Sequence, residues 1–178
     1  AASDVYKRQG VNMTGNTEEN TQREQNLKTA GQLFSFIQAS PSPFHAVANM
    51  KRELDAHGYA QLLEGEEWRL EEEGKYYVIR NGSALIAFRI PKRDFTGFQI
   101  MASHSDSPSF KIKENPEMDV EGHYVKLNVE KYGGMLCAPW FDRPLSVAGR
   151  VIVRDGSRLV TRLVTVSYTH LRAHETVL

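Results

Sequence analysis

His104 and Asp106 stand two positions apart, after the uncharged run Phe98-Gln99-Ile100-Met101-Ala102 and just before Ser107-Pro108. In extended backbone, residues i and i+2 point the same way, so an imidazole and a carboxylate would leave a strand side by side. Neutral imidazole binds zinc at roughly 2.0 to 2.1 Å, and a nearby carboxylate can hold or orient such a ligand. The C-terminal edge of a strand is also where open α/β sheets receive their ligands. The spacing alone fits a second, commoner arrangement just as well: a strand-end histidine hydrogen-bonded to its neighbours.

The other reactive side chains start from structural readings. His45 follows Phe44 at the opening of a helix, where packing or capping accounts for it. His57 falls at a helix C-terminus, a favourable place for an imidazolium beside the helix dipole. His123 follows Gly122 in an expected turn and reads as solvated. Trp140, Asp142 and Arg143 suit an Asp-to-Arg brace with a buried indole, or a subunit contact. Cys137 has no identifiable base partner and reads as an idle or buried thiol. Gly133-Gly134 lacks the strand, turn and helix context of a phosphate loop.

The elements that must position His104 and Asp106 are readable from periodicity. Leu27, Ala30, Leu33, Phe34 and Ile37 recur at helical spacing until Ser40-Pro41. A second helix opens with a Ser42 N-cap and Pro43, carries Phe44, Val47, Met50 and Leu54, and stops at Gly58. The runs 76–79 and 84–90 flank Asn81-Gly82, a strong hairpin signal. Residues 98–102 have no charge and suit a strand buried in mid-sheet. Further strands are expected at 110–113, 124–130, 145–154 and 158–164. Val125, Leu127 and Val129 alternate with Lys126, Asn128 and Glu130, the mark of a sheet with one wet face. Two helices followed by many strands give a mixed α/β (α+β) class, either α+β or a mixed sheet lacking its later helices.

Composition narrows the function classes. The 178 residues carry 22 Lys plus Arg against 22 Asp plus Glu, so no basic field invites a nucleic-acid backbone. With 40% apolar and 25% charged residues, the chain reads as ordinary globular protein, and no apolar run suits a membrane helix. The single cysteine and the absence of an apolar leader run make a reducing cytoplasm the expected address.

Both ends break this pattern. Residues 1–9 and 166–178 lack periodicity continuous with their neighbours and resemble translated sequencing-adapter sequence. They are expected to be non-native and are set aside. His170 and His174, spaced i, i+4 beside Glu175, go with them rather than forming a helical metal pair. Residues 10–26, polar and rich in Asn, Thr, Glu and Gln, read with 1–9 as a disordered leader.

Read together, several words are more specific than the His-x-Asp alone. Pro43-Phe44-His45-Ala46-Val47, Ala102-Ser103-His104-Ser105-Asp106-Ser107-Pro108, and Tyr132-Gly133-Gly134 through Trp140-Phe141-Asp142-Arg143-Pro144-Leu145 resemble, in that order, the aspartyl aminopeptidase family of zinc metallopeptidases. The resemblance covers about residues 27–164. Family members are longer, which implies an N-terminal fragment: 27–115 from the catalytic domain of a zinc exopeptidase and 116–165 from the start of an inserted β-rich domain. It further implies two zinc ions bridged by a carboxylate and a water, peptide substrates with acidic N-terminal residues, and a homo-oligomer, dodecameric in the family. His104 matches the first metal-binding histidine, and Asp106 matches the catalytic aspartate that supports it. The bridging aspartate, the glutamate base and the remaining ligands have no counterpart here, so the fragment alone is expected to be inactive. Two alternatives stand beside this reading: a non-catalytic oligomerisation or binding module of the same fold, and an unrelated hydrolase, which lacks a serine on a nucleophile elbow.

Overall fold

A computed structural model of the chain describes residues 16–92, 94–141 and 143–172. It divides into two units, one ending at Gln38 and the other beginning at Ala39. The first unit is carried by helix α1, Asn16–Ala39. The helix starts well before Leu27, so 16–26 is not the disordered segment expected from its polarity. Helix formation needs backbone compatibility rather than apolarity, and this stretch is rich in Glu, Gln and Arg with no Gly or Pro. A side-chain bond from Gln22 to Asn26 (2.9 Å) spans one turn of it. Leu27, Leu33, Phe34 and Ile37 are all more than half exposed.

In the second unit, helix α2 (Pro43–Ala56) begins as the sequence predicts. Ser42 is extended and its hydroxyl accepts from the His45 amide, with Pro43 in the first turn. Gly58 follows at φ +76°, in the left-handed region that glycine enters without penalty. Ser42→Ala removes the cap and is expected to cost about 0.5–2 kcal/mol of helix stability. Faster amide exchange over 43–50 is the readout, and unchanged protection would show that the cap is dispensable.

Three small sheets follow. Strand β1 (Ala60–Leu62) lies parallel to β2 (Lys75–Arg80), which pairs antiparallel with β3 (Ala84–Arg89). The β2–β3 connection is the expected Asn-Gly turn: Asn81 and Gly82 both have positive φ, and the Ser83 amide returns to the Arg80 carbonyl. Strands β4 (Ser109–Val120) and β5 (Tyr124–Tyr132) form a second hairpin, and β6 (Pro144–Asp155) with β7 (Arg158–Arg172) a third. The class is mixed α/β, built from separate sheets rather than one mixed sheet.

The core sits where α2 meets the first sheet. Among the described residues, the buried apolar side chains are Ala46, Val47, Tyr76 and Tyr77. Tyr77 is fully enclosed, which obliges its hydroxyl to find partners. It donates to Asp55 (2.7 Å) and accepts from Lys51 (2.8 Å), and those two side chains are themselves paired at 2.8 Å. Across the sheet, Tyr76 sits directly opposite Phe88, ring centroids 5.7 Å apart. Asn49, buried beside them, donates to the Ala39 carbonyl and to Ser40, fixing the start of this unit.

The structure corrects several expectations. Residues 98–102 form no strand, and Phe98, Ile100 and Met101 are 82%, 82% and 95% exposed. A strand exists only when neighbours satisfy its N–H and C=O groups, and no described segment pairs with this one. The alternating face of β5 is likewise uncovered, with Val125 and Val129 exposed. Strand β4 runs on past residues 115 and 116, longer than the strand expected at 110–113. There the ladder slips between Ile112 and Glu117, because Pro116 has no N–H to give. Strand β7 continues through Arg172, past the break expected at 166, with Leu171 opposite Leu145. Backbone pairing of a ribbon is indifferent to side-chain pattern, so loss of alternation there did not end the strand. His170 therefore lies in a strand and not in a helical pair, while 173–178, with His174 and Glu175, lie outside the described residues.

Candidate functional site

The segment 103–108 is irregular, and what holds it comes from elsewhere in the chain. The Ser105 hydroxyl donates to the Ser83 carbonyl in the β2–β3 turn (3.2 Å). Beyond Pro108, β4 begins, and its first residue, Ser109, is in register with Tyr132, the last residue of β5. Tyr132 is thereby returned to the His104 segment, and its hydroxyl donates to Asp106 Oδ2 at 2.6 Å. Gly133 completes the turn at φ +76°. A Cβ there would meet Pro108 in ordinary contact at 3.4 to 3.5 Å, so it is the positive φ that a side chain would find strained.

His104 and Asp106 are brought together as the spacing suggests, without the strand that was expected to carry them. His104 Nδ1 lies 2.8 Å from the Asp106 carbonyl oxygen and 3.2 Å from Asp106 Oδ1. Both of those atoms can only accept while the carboxyl is ionised, so Nδ1 carries the proton and donates. The neutral ring then keeps its lone pair on Nε2, the tautomer that a carboxylate-supported metal ligand needs. The His104 side chain is 82% exposed and that of Asp106 40%. The hydrogen bond from Tyr132, and then the bond from its own backbone amide, hold the Asp106 carboxyl below the usual carboxylate range, with a smaller contribution from His104. Conversely, Asp106 pushes the Tyr132 hydroxyl up. Asp106 is thus ionised at neutral pH.

These residues line a shallow pocket of about 300 Å³, bounded by His104, Asp106, Ser107, Pro108, Tyr132 and Gly133. The donor set fits one imidazole ligand and its supporting carboxylate. Among the described residues, no group of three or more His, Cys, Asp or Glu side chains gathers to enclose a metal ion.

The remaining candidates lie elsewhere. His45 bridges Ser42 Oγ (2.8 Å, Nδ1) and Thr165 Oγ1 (3.0 Å, Nε2), tying α2 to β7. Burial pulls its pKa below the ordinary 6.5. A depressed folded value means the neutral ring is favoured on folding. The stabilisation is complete above about pH 6.5 and is lost as pH falls through the folded value. Protection of the 43–50 amides is expected to fall more steeply toward acid in the native chain than in His45→Gln, and parallel profiles would contradict this.

His57 caps α2, its Nδ1 2.7 Å from the Glu53 carbonyl. His123 is exposed in the β4–β5 turn. Trp140 is half-buried rather than buried, its ring edge-on to Phe110 at 5.5 Å, because the loop packs against a two-stranded ribbon with no second layer. Arg143 donates to the Pro139 carbonyl (3.0 Å), and its expected partner Asp142 lies outside the described residues.

Tyr132 is the site residue that sequence reasoning passed over. Its word, Tyr132-Gly133-Gly134, was visible, and so was a strand over 124–130 just before it. The missing step was the pairing of 109 with 132, which spacing does not give.

Comparison with known proteins bears on the family of the chain. The sequence profile described as "Aminopeptidase I zinc metalloprotease (M18)" matches residues 36–171. A "Probable M18 family aminopeptidase 2" of Clostridium acetobutylicum is 52% identical over 135 residues, covering 75% of this chain and 31% of the relative. The structure of Chaetomium thermophilum mApe1 superposes with a TM-score of 0.73 at 34% identity, over 78% of this chain and 32% of that one. The S. cerevisiae mApe1 dodecamer gives 0.70 at 29% identity, over 78% and 33%. The chain spans about a third of the length of the relatives it matches.

Proposed function

The chain belongs to the aminopeptidase I zinc metalloprotease family, M18, and on that premise we propose that it is the N-terminal part of a zinc-dependent aminopeptidase. The observation that carries the reading is His104 itself: an exposed imidazole whose Nδ1 is held by Asp106, leaving Nε2 for a metal. In the whole enzyme His104 is one zinc ligand and Asp106 sets its tautomer and orientation. Two zinc ions are proposed for the complete site, the further ligands and the general base coming from sequence beyond this chain. Zinc, when bound, supplies Lewis-acid polarisation of the scissile carbonyl and an acidified water. What this chain contributes is the fixed direction of one ligand.

Residues 27–115 are proposed to belong to the catalytic domain. Residues 116–165 are proposed to be the start of an inserted β-rich domain. The exposed 98–102 run is proposed to pair as an inner strand once the remainder of the domain is present. The dodecamer formed by the S. cerevisiae relative supports a homo-oligomeric assembly for the whole protein. No described helix is long and apolar enough to cross a membrane, and a single cysteine, Cys137, suits a reducing cytoplasm.

The substrates proposed are peptides with an N-terminal Asp or Glu. The complete protein, loaded with zinc, is expected to release these residues from short peptides in preference to leucine, and to stop when a chelator removes the metal. Chelator-resistant cleavage would overturn the metal mechanism, and a preference for leucine would overturn the acidic specificity alone.

A further inference from the structure

Asp106 has two oxygens with different tasks. Oδ1 faces His104 Nδ1 at 3.2 Å, while Oδ2 receives the Tyr132 hydroxyl at 2.6 Å. A carboxylate held by its own backbone amide and by a ring nitrogen at 3.2 Å keeps some freedom about its last torsion, which is broad for Asp. The short phenol bond removes that freedom. It also draws negative charge toward Oδ2 and away from the oxygen that supports the imidazole, so the hydroxyl tempers the ligand's basicity while fixing its direction. The chain arrangement that delivers Tyr132 is specific: the β4–β5 register places it opposite Ser109. Gly133, at φ +76°, then turns the chain beside Pro108.

We propose that Tyr132 is a positioning residue for the zinc site, acting through Asp106 to hold His104 in its metal-binding direction. The proposal rests on His104 being a zinc ligand. Tyr132 is 45% exposed at a strand end, so Tyr132→Phe keeps the ring, the ladder and the packing and removes only the hydroxyl. A role confined to bracing the loop would leave the metal untouched by that change.

The test uses the complete protein, with zinc affinity measured by chelator competition and the visible bands of the cobalt(II) form as probes. Tyr132→Phe is expected to weaken zinc binding about 10-fold, the lower end of what loss of an orienting partner costs, and to shift the cobalt bands. Both effects should disappear in an Asp106→Asn background, because the hydroxyl acts through that carboxylate. Unchanged zinc affinity and cobalt bands in Tyr132→Phe, or an effect that persists in Asp106→Asn, would overturn the proposal. His104→Ala run in parallel separates the two failures: if it keeps its zinc, the ligand assignment is wrong, and if it loses zinc while Tyr132→Phe does not, only the role of Tyr132 is.

Discussion

Incubated with zinc and a peptide bearing an N-terminal aspartate, the 178-residue chain by itself is expected to release no amino acid. One imidazole cannot hold the two ions of such a site, and no group of three or more potential ligands occurs among the described residues. Two-metal peptide hydrolysis depends on both ions sharing the attacking and the developing oxygen, so the loss is complete rather than graded. The same chain is expected to be poorly soluble. Its described core amounts to Ala46, Val47, Tyr76 and Tyr77, while Phe98, Ile100, Met101, Ile86 and Leu136 are open to solvent at 70% or more. The two-stranded ribbons β4–β5 and β6–β7 leave edges unpaired, a common route to aggregation. Metal-dependent turnover by the isolated chain, or a monodisperse monomer in sedimentation, would count against this account.

In the complete protein, His104→Ala is expected to lower activity and zinc occupancy together, by at least about 100-fold in affinity, the upper end of what losing an orienting group alone costs. Asp106→Asn should fall short of this, about 10- to 100-fold, because it disturbs the support and leaves the ligand. The side chain of His104 is 82% exposed, so its removal should leave thermal unfolding of the zinc-free protein nearly unchanged. Parallel loss of fold and activity would instead mark it as structural.

Much of the fold was legible because local chemistry decides it. Ser42-Pro43 starts α2, Gly58 ends it and Asn81-Gly82 turns the hairpin, each for a reason contained in a few residues. Residues 98–102 were misread for the opposite reason. An uncharged run states that a segment can be buried, but pairing depends on partners that the described chain does not bring to it. The irregularity at Pro116, inside a longer strand, was not anticipated, since it needs the register of Ile112 with Val129 and of Glu117 with Leu127.

The site divides in the same way. The His104–Asp106 pair was available from an i, i+2 spacing, and it survives without the strand because a hydrogen bond to the Asp106 carbonyl supplies the local geometry. Tyr132, separated by a whole hairpin, could be found only from the fold. The acidic preference comes from the resemblance; among the described residues the pocket around His104 is lined by Asp106, Ser107, Pro108, Tyr132 and Gly133.

The most direct measurement is the zinc-loaded crystal structure of the complete protein, with anomalous scattering at the zinc edge to place the metal. The account predicts zinc at roughly 2.0 to 2.1 Å from His104 Nε2, with Asp106 on Nδ1 and Tyr132 behind it. Zinc bound without His104, or an imidazole turned to offer Nδ1, would contradict it.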